Sequence, residues 1–508
     1  MDHTRHSRRH ALKIMAAGAL ASTMPAPSAA KAAAGPFSQY DQFDALGLAQ
    51  LVRKGEISPT QLLDSAIARA EAVNPRINAL SHRLYDHGRQ VLADGVPDGP
   101  FAGVPFLLKD LHVHLAGQPL SNGSRAFADY VSTVTSVVTK RYRRAGLVVF
   151  GRTTSPEFGL TATTESVLYG DTRNPWDLTR TAGGSSGGAA AAVAAGILPI
   201  AQASDGGGSI RTPASCCGLF GMKPSRGRVP MGPGRTEGWN GLSTIHAVSR
   251  SVRDNAALLD ATAGPEPGSR YVAPPPERPY LEEVARPPEA LRIALMISPP
   301  SGTPVDADCE QAARDAAALC EDLGHHVEEA GPDVDPAALG DGMLTIIAVE
   351  TARLLDDRAA VLGRPISDAD VEPVTLWLYQ YGKAADPLAY ARASGAFQKA
   401  AIAVAEFMAD YDVILSPTLA KPPVKLGLLS LSPVDFDAYV KEVTEFGPYT
   451  GLYNMTGQPA MSVPLYWTDG GLPVGTMFVG RYGDEATLYR LAGQLEAARP
   501  WADRRPPL

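Results

Sequence analysis

The sequence predicts an α/β protein, a large mixed β-sheet core covered by helices on both faces. Three observations lead there. Short apolar runs alternate along the chain with segments of helical periodicity, the succession that builds mixed sheets. Of the 508 residues, 45% are hydrophobic, enough for one large core or a few smaller ones. Charged residues at 20% and aromatics at 7% are ordinary globular usage, which excludes a chain disordered throughout.

Taken in order, residues 1–34 read as an export signal. Arg8 and Arg9 follow Ser7, an apolar run of eleven residues extends from Ile14 to Met24, and a small-residue stretch ends near Ala34. Basic, apolar and small, in that order, is the plan of a bacterial signal peptide. The stretch SRRHALK resembles the twin-arginine motif, with Ala11 where Phe is commonest. The apolar run is too short to anchor the chain in a bilayer. These features predict a mature chain of residues 35–508, periplasmic or secreted, with no stable membrane insertion after signal removal.

The mature chain opens with helices. Gly55 stops one, and Ser58-Pro59-Thr60-Gln61 predicts a capping box with Pro at the first helical position, followed by Leu62, Leu63, Ile67 and Ala70 at helical spacing. Residues 147–150 and 197–203 predict buried strands, separated by a Gly/Ser loop and an Ala-rich helix over about 187–195. A β–α–β succession follows over 292–297, 306–323 and 325–329. Strands at 412–416, 460–466 and 474–480 and a last helix over roughly 484–497 complete the pattern. The Pro-rich segment 264–290 reads as an internal linker within one domain.

The formal charge of −8 is unevenly spread. Residues 1–34 hold five Lys or Arg and one Asp, leaving 41 basic against 53 acidic groups in the remainder. An acidic body argues against nucleic acid as a partner and accommodates a small uncharged or cationic ligand more easily. The four cysteines include the neighbours Cys216 and Cys217, which bridge only in a strained ring. Cys309 and Cys320 stand eleven residues apart on one expected helix, about 16 Å and beyond disulfide reach. Free, buried thiols are expected, and no zinc spacing is present.

The chemistry concentrates in residues 181–230, where two Gly-rich loops flank a helix and a strand. The second loop, Ser204-Asp205-Gly206-Gly207-Gly208-Ser209, bares consecutive backbone N–H groups that can converge on an anion, either a phosphate or the oxyanion of a tetrahedral intermediate. Nucleotide binding fits poorly, because GGSSGG lacks the P-loop Lys and neither loop has the dinucleotide fingerprint. Ser209 at the end of such a nest needs a base, and no His lies between 115 and 244. His112 and His114 alternate as if on one face of a strand, but no acidic or His cluster completes a metal site there. Lys109 is the better base, since the apolar run before it would bury it and push its pKa toward the neutral form.

GGSSGG, SDGGGSIR, PASCCGLFGMKP, NPWDLTR and NMTGQPAMSVPL together resemble the amidase signature family, over roughly residues 40–500. The resemblance implies that family's α/β fold, a cofactor-free and metal-free amidase, and a Ser–Ser–Lys triad. Carried over by position, it makes Ser209 the nucleophile, Ser185 the bridging serine and Lys109 the base, with a cis peptide at Gly184–Ser185. The backbone of Gly206, Gly207, Gly208 and Ser209 would form the oxyanion hole. Asp205, Arg211, Ser186, Gly187 and Gly188 would serve loop geometry. Two departures stand out. Gly206 occupies a place where Thr, Val or Ile is usual, which should loosen the loop, and Ser225 replaces a common Thr. FAGVPFLLKDL, GRPISDADVE and QLEAARPWADRRP are more narrowly similar to bacterial 6-aminohexanoate cyclic-dimer hydrolases.

The expected reaction is hydrolysis of a small carboxamide or cyclic amide through an acyl-enzyme. The rivals are the glutamine-hydrolysing subunit of a transfer-RNA amidotransferase, which an export signal opposes, and a catalytically dead amide-binding protein, which a complete triad opposes. A homodimer is compatible with this reading.

Overall fold

The computed structural model describes residues 36–508, so the expected signal peptide lies outside the described residues. Its centre is an eight-stranded mixed sheet. In spatial order the strands are His326–Glu329, Arg292–Leu295, Val413–Pro417, Pro473–Gly480, Ala460–Trp467, Phe220–Lys223, Thr244–Ser249 and Ile200–Asp205. The first three run parallel and every later pairing is antiparallel. A smaller sheet, Leu80–Arg83, Val148–Thr153 and Pro105–Lys109, lies against the Ile200–Asp205 edge.

The local signals act where expected. Ser58 Oγ accepts from the Gln61 N–H at 3.2 Å while Gln61 Oε1 accepts from the Ser58 N–H at 3.1 Å, starting the helix Pro59–Ile77. The Ala-rich helix Gly187–Ala194 is buried at every position, so it has no polar face and packs among strands and helices alike. The strand expected at 197–203 is shifted to Ile200–Asp205, because Gly196 ends the preceding helix in a left-handed turn and Pro199 delays the ladder. Cys216, Cys217, Cys309 and Cys320 are free and buried.

The Pro-rich segment is packed in place. It contains the helix Tyr280–Val284, which rests on the helices Val252–Thr262 and Glu485–Ala498, and its Tyr280 is buried. Glu283 of the same helix pairs with Arg278 at 3.0 Å and Arg490 at 2.6 Å. Three helices beyond those expected from the sequence, Pro336–Leu362, Pro373–Ala384 and Pro387–Phe407, build one wall over the sheet. The first of them packs against both of the others, so its apolar residues do not form a single stripe.

Candidate active site

Lys109 ends the strand Pro105–Lys109, of which every residue is buried. Its backbone N–H donates to Gln202 Oε1 at 2.7 Å, tying the strand end to Ile200–Asp205. Its Nζ lies 2.7 Å from Ser185 Oγ and 3.2 Å from Ser204 Oγ. Burial pushes its pKa from 10.5 down to about 7, against the opposing pull of the Asp205 carboxylate. A lysine so placed is a proton acceptor near neutral pH.

Ser185 sits just ahead of the helix Gly187–Ala194, after a cis Gly184–Ser185 peptide. Ser209 lies two residues before the helix Arg211–Cys217 and lines one small chamber together with Ser185, Ser204 and Gly206. Lys109 and Ser185 are thus already joined, whereas Ser209 Oγ has no hydrogen-bond partner among the described residues. Contacts of this kind commonly tighten only when substrate is present.

The loop between Asp205 and Ser209 is held by buried charge. Arg211 donates to both Asp205 oxygens at 3.0 Å, and Asn454 Nδ2 donates to Asp205 Oδ1 at 2.8 Å. Although burial alone would raise the Asp205 pKa, the Arg211 guanidinium and these hydrogen bonds hold it well below the usual carboxylate range. The same carboxylate accepts from the Gly208 N–H at 2.7 Å and the Ile210 N–H at 3.1 Å. This corrects the expectation for Gly208, whose N–H is spent on Asp205. The N–H groups of Gly206, Gly207 and Ser209 have no acceptor among the described residues and remain available to an oxyanion. Gly208 is still required, because its φ is +135° and a Cβ there would stand 2.4 Å from Thr450 Oγ1.

Gly206 does not leave the loop loose. A Cβ at this position would meet Trp239 Cε3 at 2.8 Å, so the indole occupies the space that a larger residue would fill. Thr450 Oγ1 donates to the Gly207 carbonyl at 2.6 Å and braces the other side. His112 and His114 are not strand neighbours. The strand ends at Lys109, and His112 has a φ of +56°. His114 Nδ1 lies 2.9 Å from Ser132 Oγ, and burial lowers its pKa to about 4; burial also holds His112 well below its ordinary value. No group of three or more His, Cys, Asp or Glu among the described residues could hold a metal.

Ser209 opens on two spaces. One is a cleft of about 410 Å³ walled by Leu339, Met343, Ile347, Val443, Leu452 and Met455. The other is the small chamber, walled by Leu111, Phe158, Met231, Trp239 and Ile245, with Arg235 at its edge. Sequence reasoning did not single out Gln202, Trp239, Arg235 or Thr450. Ser204 and Asn454 fall inside quoted motifs, but their contacts with Lys109 and Asp205 are made between separate elements.

A buried lysine on a serine, beside a nest of free N–H groups, defines a serine hydrolase of the kind that cleaves acyl–heteroatom bonds. The family model for Amidase matches residues 61–489. The chain is 38% identical to a 6-aminohexanoate-cyclic-dimer hydrolase of Paenarthrobacter ureafaciens over 481 residues, covering 92% of this chain and 96% of that protein. The solved structure of 6-aminohexanoate cyclic dimer hydrolase superposes with a TM-score of 0.88 at 37% identity, covering 92% and 99% of the two chains. A bacterial aryl acylamidase of the amidase signature enzymes superposes with a TM-score of 0.80 at 28% identity, covering 92% and 99%. The chain belongs to the amidase family and is an amide-hydrolysing enzyme acting on non-peptide carbon–nitrogen bonds. No helix among the described residues is long and apolar enough to cross a membrane.

Proposed function

We propose that this enzyme hydrolyses a small amide through an acyl-enzyme on Ser209. Ser209 Oγ attacks the carbonyl carbon while its proton passes to Ser185 and the Ser185 proton passes to neutral Lys109. The N–H groups of Gly206, Gly207 and Ser209 receive the oxyanion. The tetrahedral intermediate collapses, the carbon–nitrogen bond breaks, and the relay returns the proton to the leaving nitrogen. Water then attacks the ester, giving the free acid and restoring Ser209. The observation that carries this reading is the Lys109–Ser185 contact of 2.7 Å at a lysine removed from water.

The apolar cleft suits an aliphatic or aromatic acyl group, and similarity to the cyclic-dimer hydrolases makes a cyclic diamide of an ω-amino acid one substrate to test. The basic, apolar and small-residue order of residues 1–34 supports export by a twin-arginine route to the periplasm or beyond, with residues 35–508 as the mature amidase. Incubating the purified mature protein with cyclic, linear and aryl amides, followed by mass spectrometry of products and of intact protein, tests the reaction. An acyl adduct that forms on the wild type and not on Ser209→Ala is the expected result. Turnover that survives this substitution overturns it.

A further inference from the structure

Arg235 lines both the small chamber beside Ser209 and an outer space of about 490 Å³, so it stands where the two meet. It makes no hydrogen bond and no ion pair among the described residues. Its acidic neighbours each bind another arginine, and Glu237 keeps one buried oxygen, Oε2, without a hydrogen-bond partner among the described residues. Glu350 is held by Arg353 at 3.1 Å, Arg353 also reaches Asp357 at 3.1 Å, and Glu237 is held by Arg270 at 2.6 Å. His112 and His114, on the same walls, are kept neutral by burial. Burial and the nearby Arg353 lower the Arg235 pKa against the opposing pull of Glu350, and a guanidinium remains charged across the working range. A largely desolvated cation without a hydrogen-bonded counter-ion is costly, and a ligand carboxylate that pairs with it lowers that cost.

The chamber also has a direction. Ser185, which returns the proton to the leaving nitrogen, lines this chamber, whereas the large apolar cleft includes Ser209 without Ser185. The leaving amine therefore belongs on the Arg235 side and the acyl group in the cleft. The chamber walls include Leu111, Phe158, Met231, Trp239 and Ile245, which methylene groups can contact, beside the polar His112, Ser204 and Ser243.

We propose that the leaving amine carries a carboxylate that pairs with Arg235, so that linear N-acyl amino acids are substrates. This rests on the Ser209–Ser185–Lys109 reading above. Bond changes are those already given. The acyl carbon passes from nitrogen to Ser209 and then to water, and the released product is an amino acid. Opening a cyclic diamide of an amino acid yields a compound of this class, with one internal amide and one terminal carboxylate. The enzyme would then act on such a ring-opened product as well.

The test compares N-hexanoyl ω-amino acids of increasing length with the matched ω-amino alcohols, which lack the charge. Wild-type kcat/KM should favour the acid over the alcohol by about ten- to a hundredfold at the best length, the range of a hydrogen-bonded charge pair. Arg235→Gln should bring that ratio close to one through KM, and Arg235→Lys should restore part of it. A wild-type ratio near one, no turnover of the acids, or an equal loss on acid and alcohol in Arg235→Gln overturns the proposal. Alcohol-series turnover that persists in Ser209→Ala would instead overturn the acyl-enzyme reading.

Discussion

The buried Lys109 makes both rate and stability rise with pH. Its pKa falls from 10.5 to about 7, so holding the ammonium form costs about 5 kcal/mol relative to water, at about 1.4 kcal/mol per pH unit. Between those two values the unfolded chain binds the proton and the folded enzyme does not, so folding stability rises with pH across that window. Below about 7 both states are protonated and the cost is borne in full. Activity needs the neutral amine, so kcat/KM should rise through a single limb near 7 and then hold into the alkaline range, with the rate at pH 6 about one-tenth of the plateau. The histidines on the neighbouring walls cannot produce this limb, since His114 titrates near 4 and His112 also well below its ordinary value. Lys223 can mimic it, because burial lowers its pKa to about 7 as well. The assay is a pH series of kcat/KM on one amide for the wild type, Lys109→Met, Lys223→Met, His112→Ala and His114→Ala. Lys109→Met should lose the limb and most of the rate. It should also gain about 1–3 kcal/mol in urea denaturation at pH 6, the burial cost less the lost hydroxyl contacts. A limb that vanishes with either histidine or with Lys223, or a Lys109→Met variant less stable than wild type at pH 6, would refute the reasoning.

Other substitutions separate chemistry, loop and address. Ser209→Ala should lower kcat by several orders of magnitude with an unchanged urea midpoint. Ser185→Ala should lower kcat by about a hundred- to ten-thousandfold, since it interrupts proton transfer, with little change in KM. Arg211→Met leaves the Asp205 carboxylate buried beside only neutral donors, and urea denaturation should register a loss of about 3–5 kcal/mol. Gly206→Ile should reduce kcat by about tenfold by driving its Cβ into the Trp239 ring, and Trp239→Ala in the same chain should recover part of it. Arg8→Lys with Arg9→Lys should hold the full-length protein in the cytoplasm on cell fractionation, and unchanged periplasmic accumulation would count against export.

Much of this protein is legible in one dimension. The capping box at Ser58, the Ala-rich helix from Gly187 and the apolar run leading to Lys109 depend on neighbours in sequence, and local patterns report local structure. The glycines of the 206–208 loop announce bared N–H groups for the same reason. The overall excess of acidic residues, by contrast, says nothing of the charge inside the site, where an unpaired Arg235 faces the substrate space. The long helices Pro336–Leu362 and Pro387–Phe407 also elude a periodicity reading, because helices packed against several partners lack one apolar stripe.

What the sequence by itself determined is the class of fold, the loop that can hold an oxyanion, and the residue types able to do the chemistry. Only the tertiary structure decided how they meet. It spends the Gly208 N–H on Asp205, fills the space beside Gly206 with Trp239, and brings Lys109 to Ser185 across 76 positions of chain. Each of these joins groups far apart in sequence, and their energies depend on burial, a property of the packed chain and of no segment alone.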